Sequence, residues 1–184
     1  MPPEVPRDHT TVILAPGQGN QRPGMGLKLA QRSPAAMRVW EMADNVLWPH
    51  LGEKLSEIVW RGTAEQLQDT RIAQPAVVVD SLARYAAAEE IGILGHPQWH
   101  GYLSLGSVTS FVNAGSLTQE GAAQLTVDRG ESYNYAIEGH PPTSMVALVG
   151  VDEATRTRVL TQYNLVVCLE NTDEEIVIGG LVTN

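Results

Sequence analysis

Residues 99–114 read WHGYLSLGSVTSFVNA and hold the pattern that decides the fold. Trp99 to Leu103 is predicted to be a short strand, and Gly106 to Ala114 is predicted to be a helix rich in small residues. Ser104 lies between them, with a glycine two positions later. This arrangement is typical of a nucleophile elbow, a strained strand-to-helix turn that exposes a serine hydroxyl. A serine that only caps the helix explains the same residue pattern and remains the alternative.

A second glycine turn follows the first predicted strand. Residues 10–14, TTVIL, are β-branched and apolar, which predicts a buried strand of a parallel sheet. They lead into Pro16-Gly17-Gln18-Gly19. A dinucleotide-binding loop is excluded because Arg22 stands where the third glycine of that pattern belongs. An ordinary tight turn explains the glycines equally well.

Helical patterns separate and follow these strands, which predicts an α/β fold. The predicted helices are Leu27 to about Val46 with a break near Ser33-Pro34, Leu51 to Trp60, Thr63 to Asp69, Pro75 to Ile91, and Thr118 to Ile137 with Thr118 as N-cap. After the Gly139-His140-Pro141-Pro142 breaker, the predicted order is strand 145–149, helix 153–162, strand 165–169 and strand 175–178. A β-α-β-β series opens a ferredoxin-like subdomain, which needs a further helix and strand to close.

Composition excludes several classes of protein. The 184 residues suffice for one domain with a core, and the net charge of −9 with Lys28 and Lys54 as the only lysines disfavours nucleic acid. Charged residues interrupt every apolar run, so no membrane span is predicted, and no secretory signal is recognised. The single Cys168 permits neither an internal disulfide nor a four-cysteine zinc site, and we expect it to be a buried small hydrophobe. The expected location is the cytoplasm, with no metal.

The order of motifs resembles the malonyl-CoA:acyl-carrier-protein transacylase family, which includes the acyltransferase domains of fatty acid and polyketide synthases. The matching stretches are APGQGNQ (15–21), GMG (24–26), AQPA (73–76), SLG (104–106), NAGSL (113–117), DRG (128–130), NT (171–172) and IVIGG (176–180). Their order and spacing agree with the family from about residue 10 onward. A resemblance spread over this many stretches is far more specific than either glycine motif alone.

The resemblance implies a role for six residues. Ser104 would be the acyl-accepting nucleophile, Gln18 and Leu105 would donate oxyanion-hole N–H groups, and Arg129, Gln74 and Asn171 would bind substrate. Arginine suits a malonyl carboxylate because its guanidinium donates two parallel charge-assisted hydrogen bonds. The alternative for Arg129 is a helix-surface residue paired with Asp128 or Glu131.

The sequence departs from the family at the elbow and in its histidines. Tyr102 and Leu103 replace the glycine and histidine that precede the family's serine, and Ser107 replaces an acidic or amide residue. The family's catalytic histidine lies in a later part of the domain that this sequence does not contain. Serine needs an adjacent base to act as a nucleophile at neutral pH. None of the chain's histidines is a good candidate for that base: His9, His50, His96, His100 and His140.

Taken together, the resemblance implies an α/β-hydrolase-like large subdomain, N-terminal part, at residues 10–139 after a lead-in at 1–9, and an incomplete ferredoxin-like small subdomain at 143–184. The implied activity moves a malonyl-type group from coenzyme A to Ser104 and then to the phosphopantetheine thiol of an acyl carrier protein, in fatty acid or polyketide biosynthesis. No permanently bound cofactor is expected. A second polypeptide would supply the histidine. The alternatives are a non-catalytic relative that binds acyl-CoA or the carrier protein, and an acyl-thioester hydrolase.

Overall fold

The computed structural model describes residues 11–95 and 97–182, which form an α/β protein of two compact units, Met1–Tyr135 and Ala136–Asn184. The predictions for the lead-in, Thr10, His9 and His96 lie outside the described residues. Within the described part of the chain, every helix is too short or too polar to cross a membrane.

Over residues 11–95 and 97–135, the first unit carries two strands and six helices. They are β1 (Val12–Ala15), α1 (Leu27–Ala30), α2 (Pro34–Leu51), α3 (Leu55–Arg61), a 3-10 turn (Gln66–Gln68), α4 (Thr70–Glu90), β2 (Trp99–Tyr102), α5 (Gly106–Asn113) and α6 (Gln119–Ile137), the last of which continues past the boundary of the unit. β1 and β2 pair in parallel, from Val12 opposite Trp99 to Ala15 opposite Tyr102. The predicted parallel strand pair is therefore confirmed.

Caps and prolines set the helix boundaries that the sequence predicts. The Ser33 hydroxyl accepts a hydrogen bond from the Ala36 N–H at 3.1 Å, and Pro34 occupies the first helical position, so the predicted break before α2 is confirmed. The Thr118 hydroxyl accepts from the Gly121 N–H at 3.0 Å, which confirms Thr118 as the cap of α6. Each cap satisfies an N–H that has no partner inside its helix.

The predicted start of α4 at Pro75 is wrong by five residues. The helix begins at Thr70, where the Asp69 carboxylate accepts a hydrogen bond from the Arg71 N–H, and Pro75 lies inside it. A proline inside a helix costs one hydrogen bond and some strain. Every residue from 73 to 80 is buried, and this burial outweighs the cost of the proline.

The core of the first unit lies among α2, α3, α4, α5 and α6. Its largest fully buried side chains include Trp40, Leu47, Leu55, Leu82, Leu105 and Val127. Leu105 directly follows Ser104, so the turn that exposes the serine is anchored in the core by its next residue.

The second unit is a three-stranded antiparallel sheet with one helix. Its elements are β3 (Thr143–Val149), α7 (Glu153–Gln162), β4 (Val166–Thr172) and β5 (Glu175–Leu181), and the sheet order is β3-β5-β4. The expectation that Cys168 is buried is wrong, since its side chain is exposed. β4 is an edge strand whose residues are all exposed, and its pairing register shifts between Val167 and Leu169, on either side of the cysteine.

Candidate active site

The turn at Ser104 has the geometry of a nucleophile elbow. β2 ends at Tyr102, α5 begins at Gly106, and Ser104 between them adopts a left-handed backbone with φ of 47°. Non-glycine residues rarely adopt this conformation, because their Cβ crowds the carbonyl oxygen. The Ser104 side chain is exposed, whereas Leu105 is buried. The strained turn therefore directs the hydroxyl outward at the N-terminus of α5.

Glycines let this elbow lie against the end of β1. A Cβ on Gly106 would collide with the Ala15 carbonyl oxygen, and one on Gly101 would lie 2.7 Å from the Leu14 Cδ2. The Leu103 N–H donates to the Ala15 carbonyl at 3.1 Å. These contacts fix the elbow relative to the first glycine turn.

The Gln18 turn lies beside the elbow and offers a second N–H group. A Cβ on Gly17 would lie 3.1 Å from the Leu103 carbonyl oxygen, so the turn is next to the residue that precedes Ser104. The Asn20 amide donates to the Gly17 carbonyl at 3.0 Å and shapes the turn. Among the described residues, neither the Gln18 N–H nor the Leu105 N–H has a hydrogen-bond partner. Two free N–H groups near a serine are what an oxyanion hole requires.

Tyr102 and Leu103, the departures from the family pattern, do not prevent the left-handed turn. Both side chains are exposed, and the Tyr102 ring lies 6.4 Å from the Phe111 ring, centroid to centroid. The strain at Ser104 is therefore retained without the glycine and histidine of the family.

Arg129 lies on α6 and forms no ion pair or hydrogen bond within the described part of the chain. The alternative, a surface pair with Asp128 or Glu131, is not formed among the described residues: Asp128 accepts from Gln124 at 2.7 Å, and Glu131 lies 3.4 Å from His50. The half-buried guanidinium is therefore available for an anion.

The N-terminus of α4 holds α6 in place around Arg129. A Cβ on Gly130 would lie 2.6 Å from the Arg71 Cα, and the Asn134 amide donates to the Asp69 carboxylate at 3.1 Å. The hydrogen bond from the Arg71 side chain lowers the pKa of Asp69, and the same contact raises the pKa of Arg71. An ionised Asp69 thus stabilises the start of α4 and its contact with α6.

Gln74 is almost fully buried on α4. Neither its amide nitrogen nor its amide oxygen has a partner among the described residues. An unpaired buried amide is costly, so this side chain is suited to a partner from outside the described residues.

Asn171 lies in the second unit, on β4. Its side chain is exposed and its amide donates to the Glu175 carboxylate at 2.8 Å. The other proposed site residues, Ser104, Leu105, Gln18, Arg129 and Gln74, all belong to the first unit.

The described histidines have other neighbours than Ser104. The ring of His100 in β2 lies 6.4 Å from the Tyr85 ring, and its Nδ1 is buried without a partner in the described part of the protein. His50 contacts Glu131, and His140 is exposed in the second unit.

A cavity of about 310 Å³ follows β1 and is lined in part by polar residues for which the sequence predicted no role. Thr109 and Asn113, one helical turn apart on α5, line it, and the Thr109 hydroxyl and the Asn113 amide nitrogen are buried without partners among the described residues. Tyr85 also lines it, and burial, followed by the nearby Glu89 carboxylate, raises the pKa of this tyrosine. In the sequence, Thr109 and Asn113 stand four positions apart after Ser104, a spacing that places two polar side chains on one face of a helix.

The profile of the family described as "Acyl transferase domain" matches residues 12–183. The chain belongs to this family. A malonyl CoA-acyl carrier protein transacylase of Bacillus subtilis (strain 168) is 37% identical over 173 residues, which are 91% of this chain and 52% of that protein. The chain therefore spans about half the length of the curated transacylase it matches.

Solved structures share the fold of this chain. The acyl-carrier-protein-S-malonyltransferase of Bartonella henselae superposes with a TM-score of 0.80 at 30% identity, covering 94% of this chain and 55% of that one. A holo complex of PlMCAT, a malonyl-transacylase, with AntF, its type II PKS acyl-carrier protein, gives a TM-score of 0.81 at 26% identity and the same coverage. The predicted α/β fold and the predicted family are thus confirmed.

Proposed function

We propose that this chain carries the nucleophile of an acyltransferase that moves a malonyl-type group from coenzyme A to an acyl carrier protein. The observation that carries the proposal is the exposed Ser104 at φ of 47°, beside two N–H groups without described partners. The family of the chain and the names of its relatives support the acyl class and the carrier protein.

The reaction has two half-steps. The Ser104 oxygen attacks the thioester carbonyl of the acyl-CoA, its proton passes to a base, and the N–H groups of Leu105 and Gln18 stabilise the oxyanion. The tetrahedral intermediate collapses to an acyl-serine ester and releases the coenzyme A thiol, which takes the proton. The phosphopantetheine thiol of the carrier protein then attacks the ester and regenerates the serine hydroxyl.

Three further residues are proposed to bind the acyl-CoA. Arg129, half-buried and without an acidic partner in the described chain, would bind the free carboxylate of a malonyl-type group. Gln74, whose buried amide lacks described partners, would donate to the substrate, and Asn171 would contact it from the second unit. No permanently bound cofactor is part of this proposal.

A second polypeptide is proposed to complete the domain and supply the histidine base. In the described part of the chain β1 and β2 form a two-stranded sheet, and Val12, Leu14 and Trp99 are exposed on it. A two-stranded sheet with exposed apolar residues is marginally stable at best, and parallel sheets are ordinarily covered on both faces. A third strand would pair beside β1 along this cavity, near the Thr109 hydroxyl and the Asn113 amide nitrogen, which are buried without partners among the described residues.

The subdomain assignment belongs to the same proposal. The first unit would be the N-terminal part of an α/β-hydrolase-like subdomain, supported by its strand–elbow–helix order. The β3-β5-β4 order supports the ferredoxin-like assignment of the second unit, since the first, third and second strands of that fold are neighbours in this way. The free edge of β3 would receive the fourth strand.

Two alternatives stay open beside transfer. A non-catalytic relative that binds acyl-CoA is favoured by Tyr102 and Leu103 at the elbow and by the lack of a histidine contact to Ser104 in the described residues. An acyl-thioester hydrolase would use the same serine with water in place of the carrier thiol.

Intact-mass spectrometry after incubation with malonyl-CoA tests the proposal. The chain is assayed alone and together with the part of the Bacillus subtilis transacylase that lies outside the matched region. We expect acylation only in the mixture, lost in Ser104→Ala and kept in Ser116→Ala, an exposed serine beyond α5. Rapid acylation of the chain alone would contradict the need for a second polypeptide.

The fate of the acyl group then separates the alternatives. Appearance of malonyl-carrier protein supports transfer, whereas free malonate with no acylated carrier supports hydrolysis. Tight binding of malonyl-CoA without acylation in the mixture would support the non-catalytic relative.

A further inference from the structure

A cluster of metal-binding side chains lies on the first unit where the end of α2 meets α6. His50 is in the last turn of α2, and Asp128 and Glu131 lie three residues apart on one face of α6. One ligand atom from each of the three lies within 4.8 Å of the other two. None of the three residues has a role in the proposed acyl transfer.

The spacing of the two closest atoms suits a shared metal better than a hydrogen bond. The His50 Nδ1 lies 3.4 Å from the Glu131 Oε1, at the long limit of N···O hydrogen bonding. Two ligand atoms at about 2.1 Å from a tetrahedral zinc ion lie about 3.4 Å apart, which follows from the bond lengths and the tetrahedral angle. The imidazole nitrogen and the carboxylate oxygen are therefore already at the separation that a shared ion requires.

Gln124 supplies the group that would orient the imidazole. Its amide nitrogen lies 3.0 Å from the His50 Nε2 and 2.7 Å from the Asp128 Oδ1. With a metal on Nδ1, the Nε2 carries the proton, and a rotated Gln124 amide accepts from it through its oxygen. Histidine ligands ordinarily donate their second ring N–H to such an acceptor. The rotation also frees the Asp128 carboxylate for the ion.

We propose that His50, Asp128 and Glu131 form a divalent transition-metal site, with Zn²⁺ as the best fit and water completing its coordination. One imidazole and two carboxylates are a ligand set that zinc accepts, whereas Mg²⁺ and Ca²⁺ prefer oxygen ligands throughout. The two negative charges neutralise the ion. Arg71, a cation near Glu131, is already paired with Asp69 at 2.7 Å.

A bound ion would connect α2 to the helix that carries Arg129. Arg129 lies between the two carboxylate ligands in the sequence of α6, so the ion would restrict the turn that presents its guanidinium. Metal binding would therefore stabilise the first unit against unfolding, because the ion binds the folded arrangement. This inference is independent of the proposed acyl transfer.

Isothermal titration of the untagged full chain with ZnCl2 tests the site, with MgCl2 as the comparison ion. We expect one Zn²⁺ per chain, at least about tenfold tighter than Mg²⁺, and a higher melting temperature with Zn²⁺. His50→Gln and Asp128→Asn should each weaken Zn²⁺ binding at least about tenfold and remove the thermal shift. The matched control is His140→Gln, which alters an exposed histidine of the second unit.

Two outcomes would overturn the proposal. Zn²⁺ binding of unchanged affinity in both site variants would show that the ion binds elsewhere, and loss of binding in Cys168→Ser would assign it to the exposed thiol. Should His50→Gln fail to fold, as judged by circular dichroism, Asp128→Asn and Glu131→Gln decide the question, since both carboxylates are exposed.

Discussion

The Cα of Gly106 lies directly against the carbonyl oxygen of Ala15, with no room for a side chain between them. This contact brings the first residue of α5 to the last residue of β1. It also fixes the position of the serine turn relative to β1, because Ser104 is only two residues from Gly106. The elbow is thus held by a backbone-to-backbone approach that glycine alone permits.

Gly106→Ala should lower the free energy of unfolding by about 1 to 3 kcal/mol. The added Cβ collides with the Ala15 carbonyl and lies 2.9 Å from that of Pro16, and neither backbone group can rotate away as a side chain would. Gly121→Ala is the control, because its Cβ meets only side-chain atoms of Thr118 and Leu117 and alanine favours the helix. Urea unfolding measures the free energy of unfolding of both variants. Equal stability of the two variants would contradict the close approach.

Ser104→Gly should raise the free energy of unfolding by up to about 1 kcal/mol while removing the nucleophile. Glycine adopts φ of 47° without the crowding that serine suffers there. Asn164→Gly is the matched control at φ of 51°, where asparagine is already tolerated, so its effect should be smaller. Thermal unfolding compares the two. A loss of stability in Ser104→Gly would mean that the turn is not strained.

Asp69→Asn should lower the free energy of unfolding at pH 7 by about 1 kcal/mol. The pKa of Asp69 is lowered in the folded protein, chiefly by the Arg71 side chain. Its charge-dependent stabilisation is therefore complete above the unfolded pKa of about 4 and disappears as the pH falls through the lower folded value.

Urea unfolding from pH 7 to pH 3 measures this dependence. The wild-type and Asp69→Asn curves should converge as the carboxylate is protonated. Asp173→Asn, in the exposed turn between β4 and β5, serves as the control for loss of one negative charge. A constant difference at every pH would assign the effect to the shape of the cap and not to its charge.

Arg129→Ala in the completed enzyme should lower kcat/KM for malonyl-CoA by roughly 30- to 150-fold, the equivalent of about 2 to 3 kcal/mol. Turnover of acetyl-CoA, which has no free carboxylate, should stay level or improve. Arg61→Ala, an exposed arginine paired with Glu57 on α3, controls for general loss of positive charge. Steady-state assays with malonyl-CoA and acetyl-CoA measure kcat/KM for each variant. Equal losses on both would indicate a structural role for Arg129.

Local patterns in the sequence determined most element boundaries. The Ser33-Pro34 cap, the Thr118 cap and the small residues around Gly106 each act within one turn of chain, so their consequences could be read without the fold. The elbow was predictable for the same reason, since a serine flanked by a strand and a glycine specifies its own strained turn. These are short-range effects of sterics and hydrogen bonding.

Only the tertiary structure decided the features that depend on distant residues. The burial of residues 73–80 extends α4 through Pro75, and the position of Cys168 on an edge strand leaves it exposed. The absence of an ion pair for Arg129 among the described residues and the meeting of His50 with Asp128 and Glu131 also result from packing between helices. The sequence by itself determined the motifs and their order. Contacts between residues up to about ninety positions apart, such as Val12 opposite Trp99, determined which side chains meet and which described polar groups have no partner. These contacts form only when the chain folds.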